Sequence, residues 1–387
     1  MKNIPYGRQS LSINDLNAVA ATLRSDWITQ GPKIAEFETE LARYCNVRYA
    51  VAVANGTAAL HLACLAAGIS EDDQVITSPI TFAASANCVL YCKGKPVFVD
   101  IDPETTNIDP SKIANYLAHN HKVKAMIPVH FAGQSCDMAP IHEIAKKNKL
   151  IVIEDAAHAL GARYRNEKVG SCKYSDMAIF SFHPVKSITT GEGGAITTND
   201  HALYKKLLLL RNHGITKEHA DLEAGQGSWY YEMQQLGFNY RITDFQAALG
   251  LSQLEKLNIF ILKRNRIAEY YDRVFQNNPY FDVPYTLKEN YSSYHIYPIR
   301  LKNELVPARK KIFDALRASG IGVQVHYIPV YLHPYYRNLG YKQGSCPLAE
   351  NFYKRTISIP MYPDLSQSQA KRVIKTLFRI CEEHEGL

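Results

Sequence analysis

Between Tyr49 and Asn199 short apolar runs alternate with helix-like stretches, and this rhythm constrains the fold more than any other feature of the chain. It opens with YAVAVAN, TAALHLACLAAG, QVITSP and TFAASANCVLYC. It continues through KPVFVDID, a helix over about Pro110 to Ala118, KAMIPVHF, a helix over about Met138 to Lys147, and LIVIEDAA. Such alternation specifies βαβ units, whose strands pair in a mostly parallel α/β sheet flanked by helices. DMAIFSFH and GGAITTND add two more buried strands. Ligands of these sheets collect at the carboxyl ends of the strands, where loops meet helix N-termini. Asn55, Gly56 and Thr57 follow one strand, Asp155 and His158 a second, and Ser181, His183 and Lys186 a third. A single site is therefore expected.

After Asn239 the pattern changes. The stretch RITDFQAALGLSQLEKLNIFILKRNRIAEYYDRVF reads as one long helix able to bridge two domains. Alternating segments SSYHIYPIRL and GIGVQVHYIPVY, with a terminal helix near Gln367 to Glu383, suggest a smaller α+β domain. The expected division is an N-terminal arm and large domain over 1–255 and a small C-terminal domain over 256–387. A length of 387 residues with 46% hydrophobic content has room for both cores.

Met1 to Ser10 carry no signal-like apolar segment, and no run approaches the roughly 18 apolar residues that span a bilayer. A soluble, cytoplasmic chain with no membrane partner is expected. The eight cysteines form no CxxC pair and lie mostly in apolar segments, which suits buried free thiols. His61, His130, His213 and His333 show no metal-ligand spacing, so no metal is assigned. The net charge of +7 suits an acidic ligand, yet the basic residues form no block and solubility explains it equally well.

The segment IFSFHPVKSITTGEGGAITT carries the most chemistry. Lys186 leaves a buried strand and precedes a loop with Gly191, Gly193 and Gly194. A desolvated lysine has a depressed pKa, which frees its amine to form a Schiff base with an aldehyde cofactor. Taken alone it is better explained as a surface lysine beside a flexible turn. Asp155, closing LIVIED, needs a partner because an unpaired buried charge is costly. The protonated ring nitrogen of pyridoxal 5′-phosphate is such a partner; alone, Asp155 also suits a helix N-cap. The turn Asn55-Gly56-Thr57, with Ala58 behind it, opens a helix whose N–H groups and dipole favour a phosphate, and Ser181 offers a hydroxyl. Phe82 in TSPITF is placed to stack on a cofactor ring. Turn, aromatic, aspartate and lysine follow one another in the order and spacing of a single architecture.

These residues lie in segments that resemble the DegT/StrS family of sugar aminotransferases. The resemblance runs from SDWITQGPKIAEFETELARY through VANGTAALHLA, VFVDID, EDAAHALGA and SFHPVKSITTGEGG to GFNYRITDFQAALGLSQL. It implies the fold type I architecture of pyridoxal-phosphate transferases. Lys186 is then the amine that bonds the cofactor, Asp155 its ring-nitrogen partner, and Ser181 a phosphate ligand. His158 would bond to the cofactor's phenolic oxygen or cover its ring, where many relatives have Gln. Asn239 of GFNYR would reach the phosphate in the neighbouring subunit of a homodimer. Tyr6, the run Asp26, Trp27, Ile28 and Thr29, His183, and the run Gln324, Val325, His326 and Tyr327 would contact the sugar nucleotide. Within the family, Tyr6, SDWITQG, SFHPVKSITT and QVHYIPVY are most similar to the 4-aminotransferases of pseudaminic acid biosynthesis. That implies amino transfer, from glutamate, to C4 of a UDP-linked 4-keto-6-deoxy-N-acetylhexosamine. A dTDP- or GDP-linked keto sugar, with transfer to C3 or C4, is the alternative. A dehydratase of this fold would have His in place of Lys186. A non-catalytic sensor usually adds a DNA-binding module, and no helix-turn-helix pattern or other sign of nucleic-acid binding is present.

Overall fold

The computed structural model describes residues 3–218, 222–223 and 227–384. Helices α1 (Ile13–Leu23) and α2 (Pro32–Cys45) precede the first strand. Strands β1 (Tyr49–Val53), β2 (Gln74–Thr77), β3 (Lys95–Phe98), β4 (Val123–Ile127) and β5 (Ile151–Asp155) follow. Between them run α3 (Gly56–Ala66), α4 (Ala84–Tyr91), α5 (Pro110–Leu117) and α6 (Met138–Asn148). A hairpin, β6 (Arg163–Tyr164) and β7 (Glu167–Lys168), leads to β8 (Met177–Ser181) and β9 (Gly194–Thr198). Helix α7 (His201–Arg211) and a ribbon of β10 (Ile215–Thr216) and β11 (Glu232–Met233) close this half.

The seven-stranded sheet has the order β1-β9-β8-β5-β4-β2-β3. Only β9 runs against its neighbours; the other pairings are parallel. The expected mostly parallel α/β sheet is therefore present. Its central strands are nearly all apolar because helices cover both faces, leaving no wet side that would require alternation. Val53 and Ser181 both pair with Gly194, and Asp155 pairs with Ile179, so the carboxyl ends of β1, β5 and β8 meet at one edge. Helix α3 is buried along almost its whole length, and its alanines let it lie close against the sheet.

Helix α8 (Asp244–Phe275) starts at a capping box between Thr243 and Gln246 and is 32 residues long, about 48 Å at 1.5 Å per residue. Residue 255, the expected domain boundary, lies within it. The remaining elements are β12 (Phe281–Asp282), β13 (Asn290–Tyr291), β14 (Tyr297–Leu301), α9 (Arg309–Ala318), α10 (Pro334–Asn338), α11 (Pro347–Arg355), β15 (Thr356–Ile359) and α12 (Gln367–Glu383). An antiparallel sheet, β12-β14-β15, packs with α9 and α12 around a second core that also takes in Ile4. In α12, Ala370, Val373, Ile374, Leu377, Ile380 and Cys381 are buried at helical spacing, which makes one apolar stripe. Arg264 of α8 is fully buried and donates to the carbonyls of Tyr294, His295 and Met361.

One expectation fails. GIGVQVHYIPVY alternates like a strand but forms none; it makes only isolated bridges, Ile4 to Ile321 and Gln324 to Ser358. Pro329 has no N–H to give a ladder, and the chain leaves the sheet edge there, with Val330 N donating to the Pro79 carbonyl at 3.0 Å. This departure carries His326 and Tyr327 to the large sheet. All eight cysteines are buried and free.

Candidate active site

The turn after β1 is built to leave two donors open. Asn55 caps α3, its Oδ1 accepting Ala58 N at 2.8 Å, while its carbonyl accepts Ala59 N. Ala58, expected to help hold a phosphate, has its N–H committed to this cap. Gly56 and Thr57 N–H have no acceptor among the described residues, so they face the cavity as the orphan donors of a helix N-terminus. Close packing requires glycine twice here. A Cβ on Gly194 would lie 2.5 Å from the Asn55 carbonyl oxygen, and one on Gly56 would lie 2.9 Å from Ser181 Cβ. The turn is thereby pressed between the ends of β8 and β9.

A cavity of about 860 Å³ opens from this turn across the carboxyl edge of the sheet. Asp155 lies in its floor, with only 5% of its surface exposed. Its Oδ2 accepts Ser85 Oγ at 2.5 Å and its Oδ1 accepts Ala157 N at 3.2 Å. Lys186 lines the same cavity, in the loop between β8 and β9, with its backbone N bonded to the His183 carbonyl. Desolvation lowers its ammonium to about 8, and the nearby Asp155 charge only partly opposes this. A lysine so shifted is a nucleophile near neutral pH.

His158 is buried above Asp155. Its Nε2 is 3.1 Å from the Tyr327 hydroxyl, and its Nδ1 is buried without a partner. Burial first, then the charges of Lys186 and His326, hold it well below the usual histidine range, so it stays neutral. The His295 ring lies tilted against it, ring centroids 4.3 Å apart, and is kept neutral first by its own burial. His326 is lowered to about 4 by burial and the Lys186 charge; its Nδ1 is 2.9 Å from Ser358 Oγ.

Of the residues singled out in the sequence, Gly56, Thr57, Ala58, Phe82, Asp155, His158, Ser181, His183 and Lys186 line this cavity, as do Tyr6, His326 and Tyr327. Gln324 and Val325 do not, because the bridge to Ser358 holds that stretch at the sheet edge. Asp26, Trp27, Ile28 and Thr29 also lie outside it: they form the exposed link between α1 and α2, tied to the start of α8 by Asp244 N and the Ile28 carbonyl. Asn239 is exposed beside Asn212, again outside the cavity of its own chain. Sequence reasoning missed Ser85, Thr81 and His295. For Ser85 a signal existed, a hydroxyl in the first turn of the helix that follows Phe82.

Residues 9–378 match the DegT/DnrJ/EryC1/StrS aminotransferase family. The chain belongs to this family. It is 41% identical over 383 residues to the UDP-4-amino-4,6-dideoxy-N-acetyl-beta-L-altrosamine transaminase of Campylobacter jejuni, covering 98% of each chain. Its fold matches Helicobacter pylori PseC, an aminotransferase of pseudaminic acid biosynthesis, with a TM-score of 0.92 at 34% identity, covering 99% of this chain and 100% of that one. It also matches the PLP form of the putative sugar aminotransferase Spr1654 of Streptococcus pneumoniae, TM-score 0.91 at 30% identity, covering 98% and 99%.

This DegT/DnrJ/EryC1/StrS member is thus an aminotransferase of the pyridoxal-phosphate class, with the fold type I architecture expected from its sequence. Its own residues fit that cofactor. Two open N–H groups await an anion, a desolvated amine faces an acid across the cavity, and a buried ring nitrogen of His158 lacks a partner. No helix among the described residues is long and apolar enough to cross a membrane, and no cluster of three metal-binding side chains occurs among them.

Proposed function

We propose that this enzyme transfers an amino group from glutamate to C4 of a UDP-linked 4-keto-6-deoxy-N-acetylhexosamine, a pseudaminic acid precursor, in the cytoplasm. The observation that carries the chemistry is Lys186, half-buried and lowered to about 8, in one cavity with Asp155. The substrate class rests on the 41% identity to the Campylobacter transaminase over nearly the whole chain.

Bound pyridoxal phosphate supplies an aldehyde that takes up the amino group and a cationic ring that withdraws electrons. Lys186 is the residue that would hold the cofactor through its aldehyde. Its free amine would take a proton from the substrate carbon that loses nitrogen and, in the second half, give one to the carbon that gains it. Asp155 supports positive charge at the ring nitrogen. Gly56 and Thr57 N–H, with the Ser181 hydroxyl, would hold the phosphate. His158 would bond the cofactor's phenolic oxygen or cover its ring, Phe82 would stack on that ring, and His183, Tyr6, His326 and Tyr327 would meet the sugar nucleotide in the same cavity.

The working unit we infer is a homodimer with shared sites. Asn239, exposed and outside its own cavity, reaches the phosphate of the partner subunit's site, and Asp26 to Thr29 complete the nucleotide pocket there. The test is a panel of nucleotide-linked 4-keto sugars assayed with glutamate, with the position of the new amine read by NMR. Turnover of the UDP-linked 4-keto-N-acetylhexosamine with nitrogen at C4 is expected. An inactive UDP lane beside an active dTDP or GDP lane would overturn the substrate assignment.

A further inference from the structure

Asp155 is held by more than its own strand. Ser85 Oγ lies 2.5 Å from Asp155 Oδ2, and Thr81 Oγ1 lies 2.6 Å from Ser85 Oγ. Thr81 is 3% exposed and Ser85 1%. The three residues come from three places: the loop after β2, the first turn of α4, and the end of β5. Nothing local requires them to meet, since Ser85 and Asp155 are 70 residues apart in the chain.

The direction of these bonds follows from proton counting. Each hydroxyl has one proton, and an ionised carboxylate can only accept. Ser85 therefore gives its proton to Asp155, and Thr81 must give its own to Ser85. Were Asp155 protonated on Oδ2, two protons would point into the Ser85–Asp155 gap. Ser85 would then have to turn to Thr81 Oγ1 at 2.6 Å or to the Phe82 carbonyl at 3.3 Å, so the Thr81–Ser85 bond would reverse or break. With Asp155 as the acceptor the array runs one way, from Thr81 through Ser85 to Oδ2, and it leaves the remaining lone pairs of Asp155 for the cavity.

We propose that Thr81 and Ser85 are positioning residues, a two-hydroxyl relay that holds the Asp155 carboxylate aimed at the cationic ring nitrogen of the bound cofactor. This rests on the pyridoxal-phosphate reading of the site. The relay costs the loaded enzyme nothing at the moment of reaction because it is already formed in the folded chain.

Two readouts separate it from simple packing: the dissociation constant of pyridoxal phosphate from the apoenzyme, and the pH midpoint of the bound cofactor's visible absorbance. Ser85→Ala should weaken cofactor binding by roughly 10- to 100-fold, the range of one hydrogen bond to a charged group. It should also move the absorbance midpoint upward, because a ring nitrogen less firmly protonated leaves the Schiff-base nitrogen more basic. Thr81→Val, which keeps the shape and removes only the donor, should shift both readouts in the same direction by less. Ser85→Thr restores the hydroxyl and should bring both back toward wild type. An unmoved midpoint in Ser85→Ala would overturn the relay, even if binding weakens, since lost packing alone does that. Should Ser85→Ala fail to fold, Thr81→Val decides, and wild-type behaviour there overturns the proposal. A wild-type apoenzyme that takes up no pyridoxal phosphate would instead sink the reading of the site itself.

Discussion

The lowered Lys186 amine makes a quantitative prediction about reactivity. With a midpoint of about 8 in place of 10.5, the unprotonated fraction at about pH 7.5 is roughly one quarter instead of roughly one thousandth, a gain of about 240-fold. Competitive labelling of the apoenzyme with trace acetic anhydride, followed by peptide mapping, measures that fraction lysine by lysine. The SFHPVKS peptide should show a labelling midpoint near 8, well below that of exposed lysines. The two causes of the shift act in opposite directions, desolvation lowering it and Asp155 raising it. Asp155→Asn removes the charge that favours the ammonium, so its Lys186 midpoint should fall further. Stability has a definite sign too. Between about pH 8 and 10.5 the unfolded chain binds a proton at this position that the folded chain does not, so the apoenzyme gains stability as pH rises through that window. Lys186→Met lacks this contribution and should show a flatter profile. A labelling midpoint at or above about 10 would refute the argument that burial prepares this amine.

A shared site has an arithmetic of its own. Mixing the inactive variants Lys186→Ala and Asn239→Ala under subunit exchange should yield half heterodimers, each with one intact site, and so restore about a quarter of wild-type activity; no recovery despite verified exchange would place Asn239 outside the partner's site. Tyr327→Phe removes the hydroxyl from His158 Nε2 and leaves a ring with no partner on either nitrogen among the described residues, for an expected loss of about 1–3 kcal/mol in urea unfolding. A loss below about 0.5 kcal/mol would show that the bond is not made in solution. Arg264→Met should cost about 3 kcal/mol, because the Tyr294, His295 and Met361 carbonyls lose a shared charged donor inside the core. Unchanged thermal unfolding would mean that these carbonyls are satisfied by other donors.

What the sequence disclosed and what it withheld divide along chain distance. Asp155, Lys186 and the Asn55-Gly56-Thr57 turn were legible because each signal is local: an apolar run, then a polar residue, then a turn or a helix start. The sheet brings such positions together automatically, since parallel strands place their carboxyl ends on one edge. The long α8 and the terminal α12 were legible for the same reason, as their periodicity is intrinsic to the helix. GIGVQVHYIPVY misled because alternation reports which side chains are buried, and Ile321 and Val323 are buried in the second core without a strand ladder. The pairings of the central groups gave no local signal: Ser85 reaches Asp155 across 70 residues and Tyr327 reaches His158 across 169. Each makes its contribution through a single hydroxyl, an atom that in a linear reading is indistinguishable from a cap or an aromatic filler. The covalent chemistry of this site is therefore written in short segments, while the tuning of its acid and its histidine exists only in the folded arrangement.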